Sequence, residues 1–258
     1  MRVFPCRPLL VLLALAPLGA VAAERVAVAA AANLAYVLAP LDAAFARANP
    51  GVNVTSTIGA SGSLVAQISR GAPYDVFLSA DLDYPRKLVQ AGGAPAGATV
   101  VTFAFGRLVL WTTRGTLELG SVASVMNNPA VRRVAEANPR TAPYGRAAEE
   151  VLAHLGLVDE VRAKIVVGEN ISQAAQYVAS GNADVGFVAL SLVAAPHHPS
   201  QGRWIEVPSS LYAPIAQGAV VTTHGADHAA AQRYLEFLTG GEARRIFAEF
   251  GYGLPPAP

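Results

Sequence analysis

The sequence predicts a two-lobed α/β protein with a cleft between its lobes, and three observations lead there. Short apolar, β-branched runs alternate with stretches whose apolar residues recur at helical spacing, the pattern of βαβ units and mainly parallel sheets. Two segments, 100–113 and 212–221, are long extended patterns, and each reads as a crossover from one lobe to the other. Third, 53% hydrophobic and only 14% charged residues support well-buried cores and exclude disorder in a chain of this length.

Ahead of the folded part stands a secretory leader. Arg2 and Arg7 flank its start, residues 9–18 are apolar, and Val21-Ala22-Ala23 supplies small residues before Glu24, which predicts a signal peptide over 1–23 cleaved after Ala23. Pro17 and Gly19 interrupt an apolar run already short for a membrane span. Cys6, the only cysteine, leaves with the leader, and Val3-Phe4-Pro5 before it is not a lipoprotein cleavage site. The mature chain then has neither thiol nor disulfide. Loss of two arginines takes the formal charge from +1 to −1, so nothing electrostatic suggests a nucleic-acid partner.

Four strand-to-helix junctions carry the argument. At the first, strand 26–30 runs into Ala31-Ala32-Asn33-Leu34, after which Leu34, Val37, Leu38, Leu41 and Phe45 form a helical face. Pro40 should kink that helix or separate a short first turn from it. Asn33 at this turn also fits an ordinary N-cap. At the second, strand 52–57 leads through Gly59-Ala60-Ser61-Gly62-Ser63, where glycines permit close approach and serines offer hydroxyls. Taken alone, this stretch also fits a plain loop with a Ser N-cap. A buried strand over 74–81 ends on Asp81, read as the cap of the following helix.

The chain leaves the first lobe near Phe105, at the break in the extended pattern at Gly106. In the second lobe, a helix at 122–126 and a strand at 133–136 precede the third junction, where Pro139, Pro143 and Gly145 delay the helix. Arg140 and Arg146 beside it read as solvated charges. At the fourth, strand 164–167 runs into Gly168-Glu169-Asn170-Ile171-Ser172 before a helix at 173–180. Strands are expected at 183–189 and 203–207. His197-His198, in a Pro-flanked loop, lacks metal-ligand spacing and reads as surface. Helices at 227–238 and 241–250 should return to the first lobe, giving bounds of 24–105 with 216–258 for lobe one and 106–215 for lobe two.

In a parallel α/β sheet, ligands sit beyond the carboxyl ends of the strands, so two junctions from each lobe can face one cleft. Each offers the unpaired first N–H groups of a helix and its positive dipole end, and none requires a Lys or Arg. Such a site suits a small, fully ionised oxyanion. It is a poor match for phosphate, which keeps a proton near neutral pH and calls for a buried carboxylate acceptor. Glu169 would repel an anion and is expected to face away from it.

A hydrolase using Ser61 or Ser63 would need a base in reach, and His154, His224 and His228 all lie away from the junctions. An enzyme is therefore not expected. A ferric site would need converging Tyr, His or carboxylate ligands, and Tyr144 is the only Tyr at a junction. Sulfate, and phosphate as the poorer match, stay open as alternative ligands.

Seven segments together resemble the periplasmic molybdate-binding proteins of ABC transporters, a family of two-lobed solute-binding proteins of type II-like fold. They are Ala29-Ala30-Ala31-Ala32-Asn33-Leu34, Gly59-Ala60-Ser61-Gly62, residues 71–81, residues 106–111, Ala142-Pro143-Tyr144-Gly145, residues 181–189 and Gly251-Tyr252-Gly253-Leu254-Pro255, in order across the mature chain. The resemblance implies that molybdate or tungstate is held at Ala32, Asn33, Ser61, Tyr144 and Ile171, with Ser61 giving hydroxyl and N–H and the others mainly backbone N–H. It implies no cofactor and no free metal cation. The ion would be captured in the periplasm and passed to a membrane permease driven by a cytoplasmic ATPase; a monomer is expected on separate grounds, since no clear apolar patch in the sequence marks a dimer surface. Where some relatives carry Ser or Thr, this chain has Ala32 and Asn33, so an amide is expected in place of one hydroxyl. The Tyr contact of other relatives falls on Ala189 and is not carried over.

Overall fold

The computed structural model describes residues 24–196 and 201–256. The leader and the His197-His198 pair lie outside the described residues.

The first lobe begins with β1 (Glu24–Ala31), a 3-10 turn (Ala32–Leu34) and α1 (Leu38–Ala48). It continues through β2 (Val52–Gly59), α2 (Ser61–Ile68), β3 (Val76–Ser79), α3 (Asp83–Gln90) and β4 (Val101–Gly106). Pro40 sits in the first turn of α1, where its missing N–H has no helical partner to lose, and the break expected there falls between the 3-10 turn and α1. In the second lobe come β5 (Leu108–Thr112), α4 (Val122–Met126), β6 (Val134–Ala137), α5 (Pro143–His154), α6 (Val158–Arg162), β7 (Ile165–Gly168), α7 (Ile171–Ala179), β8 (Val185–Ala189), α8 (Leu190–Val193) and β9 (Arg203–Glu206). After a second 3-10 turn (Ser209–Leu211), β10 (Ile215–Val221) rejoins the first sheet, followed by α9 (Ala229–Phe237) and α10 (Gly241–Glu249). None of the described helices is long and apolar enough to cross a membrane.

Two five-stranded sheets result, ordered β2-β1-β3-β10-β4 and β7-β6-β8-β5-β9. Three strands of each are parallel: β2, β1 and β3 in one, β7, β6 and β8 in the other. The crossover strands β10 and β5 run antiparallel to their neighbours. The mainly parallel expectation thus needs one amendment, with a geometric cause. Parallel strands point their carboxyl ends at the cleft, whereas a strand that enters its lobe from the cleft runs away from it.

Register places the junctions side by side. Ala31 pairs with Gly59, and Ala137 with Gly168, so adjacent strands end level at the cleft. The β1 and β3 side chains alternate between two cores. Val28, Ala30, Val76 and Leu78 pack with Leu41, Phe45, Tyr234 and Phe247 on one face, while Ala29 and Phe77 pack with Leu64 and Leu88 on the other. The returning helices α9 and α10 supply Tyr234 and Phe247, and Phe45 meets Tyr234 edge to face at 5.0 Å. A third core fills the second lobe and extends across the cleft to Ala31, Ala32, Ala60 and Ala80. Near the crossover, Phe105 exchanges backbone hydrogen bonds with Gly253 at 2.7 and 2.8 Å, strapping the C-terminal segment onto β4.

Candidate functional site

Four helical starts converge on one small cavity between the lobes. Its wall is made of Ala31, Ala32, Asn33, Gly59, Ala60, Ser61, Ala80, Ala142, Pro143, Tyr144, Asn170 and Ile171. All five residues singled out from the sequence, Ala32, Asn33, Ser61, Tyr144 and Ile171, are therefore brought together, and each is at most 3% exposed. Every one lies within the first two residues of its helical element, where the N–H groups lack a carbonyl four residues back. Residues Ala31, Ala60 and Ala142 occupy the N-cap positions of three of these starts, and no side chain caps them. Alanine is a poor N-cap, so no side chain takes those N–H groups; that of Gly62 goes to the Thr141 carbonyl, and those of the cavity-wall residues are left for an acceptor from outside. The exception is Asn170, which caps α7 by accepting from the Gln173 N–H at 3.1 Å, leaving the Ile171 N–H ahead of it.

Ser61 is oriented rather than loosely placed. Its Oγ accepts the Ala80 N–H at 3.0 Å, so its own proton remains to be donated. The Asn33 amide behaves differently from the expectation that it stands in for a hydroxyl. Both its hydrogens are used away from the cavity, on Gln217 Oε1 at 2.9 Å and Tyr252 Oη at 3.0 Å, so only its backbone N–H is left for a ligand. The Tyr144 ring packs at the crossover, its hydroxyl buried beside Gly106 and the Gln217 amide without a hydrogen bond of normal geometry. Burial pushes that phenol well above its usual range, assisted by Tyr252 and Tyr212, so Tyr144 remains neutral.

Contacts across the cleft hold the lobes together around this cavity. Gly62 N–H donates to the Thr141 carbonyl at 2.9 Å and Tyr84 Oη to the Arg140 carbonyl at 3.1 Å. Ser172 Oγ donates to the Ala32 carbonyl and Ser191 Oγ to the Asn33 carbonyl, each at 2.8 Å. Arg146 forms an ion pair with Asp81. This corrects the reading of Arg146 as a solvated charge: its guanidinium lies over the Tyr84 ring, with Cζ 5.4 Å from the centroid, and is neutralised by a carboxylate of the other lobe. Asp81 does cap, accepting the Tyr84 N–H at 3.0 Å, but it has this second task as well.

These closure residues were missed from the sequence. For Arg146 and Gly62 a signal exists, since each stands within two residues of a junction contact. Asp81 and Thr141 give no local sign, because their partners are remote in sequence.

Glu169 is exposed and is not part of the cavity wall. Among the described residues, no Lys, Arg or His lines it. Ser63 is exposed. His154 bonds the Glu150 carbonyl at 2.9 Å, and His224 and His228 both face Asp75, at 2.9 and 3.5 Å. The site can thus bind by neutral donors and the positive ends of helices, and among the described residues no His, Asp or Glu is part of its wall.

A family model described as bacterial extracellular solute-binding protein matches residues 26–253. The chain is 41% identical over 232 residues to the molybdate-binding protein ModA of Azotobacter vinelandii, covering 90% of this chain and 91% of the relative. It is 42% identical over 231 residues to ModA of Rhodobacter capsulatus, with coverage of 90% and 89%. The solved periplasmic molybdate-binding protein of Azotobacter vinelandii matches with a TM-score of 0.83 at 38% identity, covering 89% of this chain and 99% of that one. With the family model spanning nearly all of the described chain and these relatives matching over about nine-tenths of it, the chain belongs to the bacterial extracellular solute-binding proteins, in the group of periplasmic molybdate-binding proteins.

Proposed function

We propose that this protein is a periplasmic receptor that captures molybdate or tungstate as the intact oxyanion and delivers it to the permease of an ABC transporter. The observation that carries the reading is the convergence of four helical starts, three with alanine at the N-cap, on one cavity walled by neutral groups. A tetrahedral dianion accepts hydrogen bonds on every side and has no proton to place, so a donors-only site satisfies it. The proposed contacts are the backbone N–H groups of Ala32, Asn33, Ser61, Tyr144 and Ile171 and the hydroxyl of Ser61.

On this reading the protein binds and releases without catalysis, acts as a monomer and reaches the periplasm by loss of residues 1–23. Lobe one comprises 24–105 and 216–258, and lobe two 106–215. The start of β5 two residues after β4 ends, and the entry of β10 at Ile215, support a hinge at the two crossovers. Closure and binding are coupled because one ion meets the donors of both lobes only when the cleft is shut.

A thermal-shift series on the mature chain with molybdate, tungstate, sulfate and phosphate tests the proposal. Ligand at a hundred times its Kd adds about 2.7 kcal/mol and raises the melting temperature. Stabilisation by molybdate and tungstate above the other two is the expected result. Equal stabilisation by sulfate or phosphate would overturn the selectivity, and no shift with any anion would overturn the site.

A further inference from the structure

Ser172 is not one of the proposed anion contacts, yet its hydroxyl reaches across the cleft to the carbonyl of Ala32 at 2.8 Å. A carbonyl oxygen only accepts, so Ser172 must be the donor. The Ala32 carbonyl and the Asn33 N–H are the two ends of a single peptide unit. A hydrogen bond received at the oxygen polarises that unit and strengthens its N–H as a donor. Ser172 also follows directly on Ile171 in the first turn of α7, so both move with the second lobe.

We propose that Ser172 is a positioning residue for anion capture, which on closure clasps the first lobe and at the same time strengthens the Asn33 N–H that faces the anion. This inference rests on the anion site proposed above. It explains a difference between two otherwise similar bridges. Ser191 Oγ also crosses between lobes, to the Asn33 carbonyl at 2.8 Å, but that peptide unit ends in the Leu34 N–H, which is outside the cavity wall. The same carbonyl also receives the Tyr252 hydroxyl at 2.8 Å, a bond as short as that of Ser191, whereas the Ala32 carbonyl has besides Ser172 only the longer bond from the Ala35 N–H at 3.2 Å. Ser191 therefore bridges without reaching an anion donor, and its role is partly covered by Tyr252.

The test titrates the mature wild type, Ser172→Ala, Ser172→Thr and Ser191→Ala with molybdate by calorimetry, and records the Asn33 amide proton by NMR in the molybdate-bound forms. For Ser172→Ala we expect about fivefold to tenfold weaker binding, the loss of one ordinary hydrogen bond, carried by faster release. The Asn33 amide proton should move upfield relative to wild type, and the melting temperature of the empty protein should hold. Ser172→Thr, which keeps the hydroxyl, should restore affinity and the amide shift, and Ser191→Ala should leave the Asn33 shift in place. Wild-type binding with an unchanged affinity or an unmoved Asn33 proton in Ser172→Ala overturns the role of Ser172 alone. A wild type that does not bind molybdate overturns the anion site and this inference with it.

Discussion

Arg146 on α5 and Asp81 beyond β3 form an ion pair that closes one rim of the cleft, with Tyr84 beneath the guanidinium. The pair lies outside the cavity and leaves its wall neutral. Arg146 is 37% exposed and Asp81 13%, so solvent screens the attraction and its worth falls near the 1 kcal/mol of a surface pair. We expect Arg146→Met to weaken molybdate binding about threefold to fivefold, with the loss shrinking as salt rises. Calorimetry at about 20 mM and 500 mM salt measures this, and a loss independent of salt would refute an electrostatic latch.

Gly62 controls how closely the lobes meet. A Cβ there would lie 2.6 Å from Tyr84 Oη and 3.1 Å from Thr141 Cα, the latter being backbone of the opposite lobe. Gly62→Ala should therefore act as a wedge and weaken anion binding about tenfold or more, while the empty protein melts close to wild type, since α2 accepts alanine readily. Small-angle scattering with saturating molybdate should report a larger radius for the variant. An unchanged radius and affinity would show that the lobes accommodate the methyl group.

The helix starts were legible because each is written locally, as an apolar run that ends in Ala, Gly, Ser or Asn before helical periodicity begins. The crossovers were legible for a related reason: the extended pattern through Gly106 is too long for one strand, and the structure divides it into β4 and β5. What could not be read is the pairing of residues far apart in sequence. Asn33 looked like a side chain free to cap or bind, and only the fold brings Gln217, 184 positions away, to its amide. Arg146 looked solvated because its partner Asp81 lies 65 positions back, on the other lobe. The antiparallel sense of β5 and β10 likewise depends on the direction from which the chain enters each sheet, which periodicity does not encode.

Ser61 does two jobs with one hydroxyl, accepting from the Ala80 N–H and, on the proposed reading, donating to the anion. Removing it should cost about 1.5 to 3 kcal/mol of anion binding, the range for hydrogen bonds to charged groups, or roughly tenfold to a hundredfold in Kd. It also leaves the buried Ala80 N–H unpaired, which costs about 1 to 3 kcal/mol of folding stability. Ser61→Ala should thus still fold, melt a few degrees lower when empty and bind far more weakly. Calorimetry paired with melting of the ligand-free protein separates the two effects, and full affinity would remove Ser61 from the site.

Stability should depend on pH through Glu136, a residue of β6 that is 5% exposed and has one buried carboxylate oxygen without a hydrogen-bond partner. Burial, with a smaller contribution from the Glu149 charge, pushes its carboxyl up to about 7. A raised acid binds its proton more tightly in the folded state. Its contribution is therefore complete below the unfolded value of 4.5 and is lost as pH rises through 7. Between those values, stability should fall by up to about 1.4 kcal/mol per pH unit and level off above them. Asp42, raised to about 6 by burial against the hydrogen bonds of Tyr234 and Ser56, acts in the same direction over a lower window. Glu136→Gln keeps the shape but removes the ionisation, so urea unfolding at pH 5, 6, 7 and 8 should show a shallower decline than wild type, with the Asp42 share remaining. Parallel declines in the two proteins would mean that Glu136 ionises in the folded state without resistance.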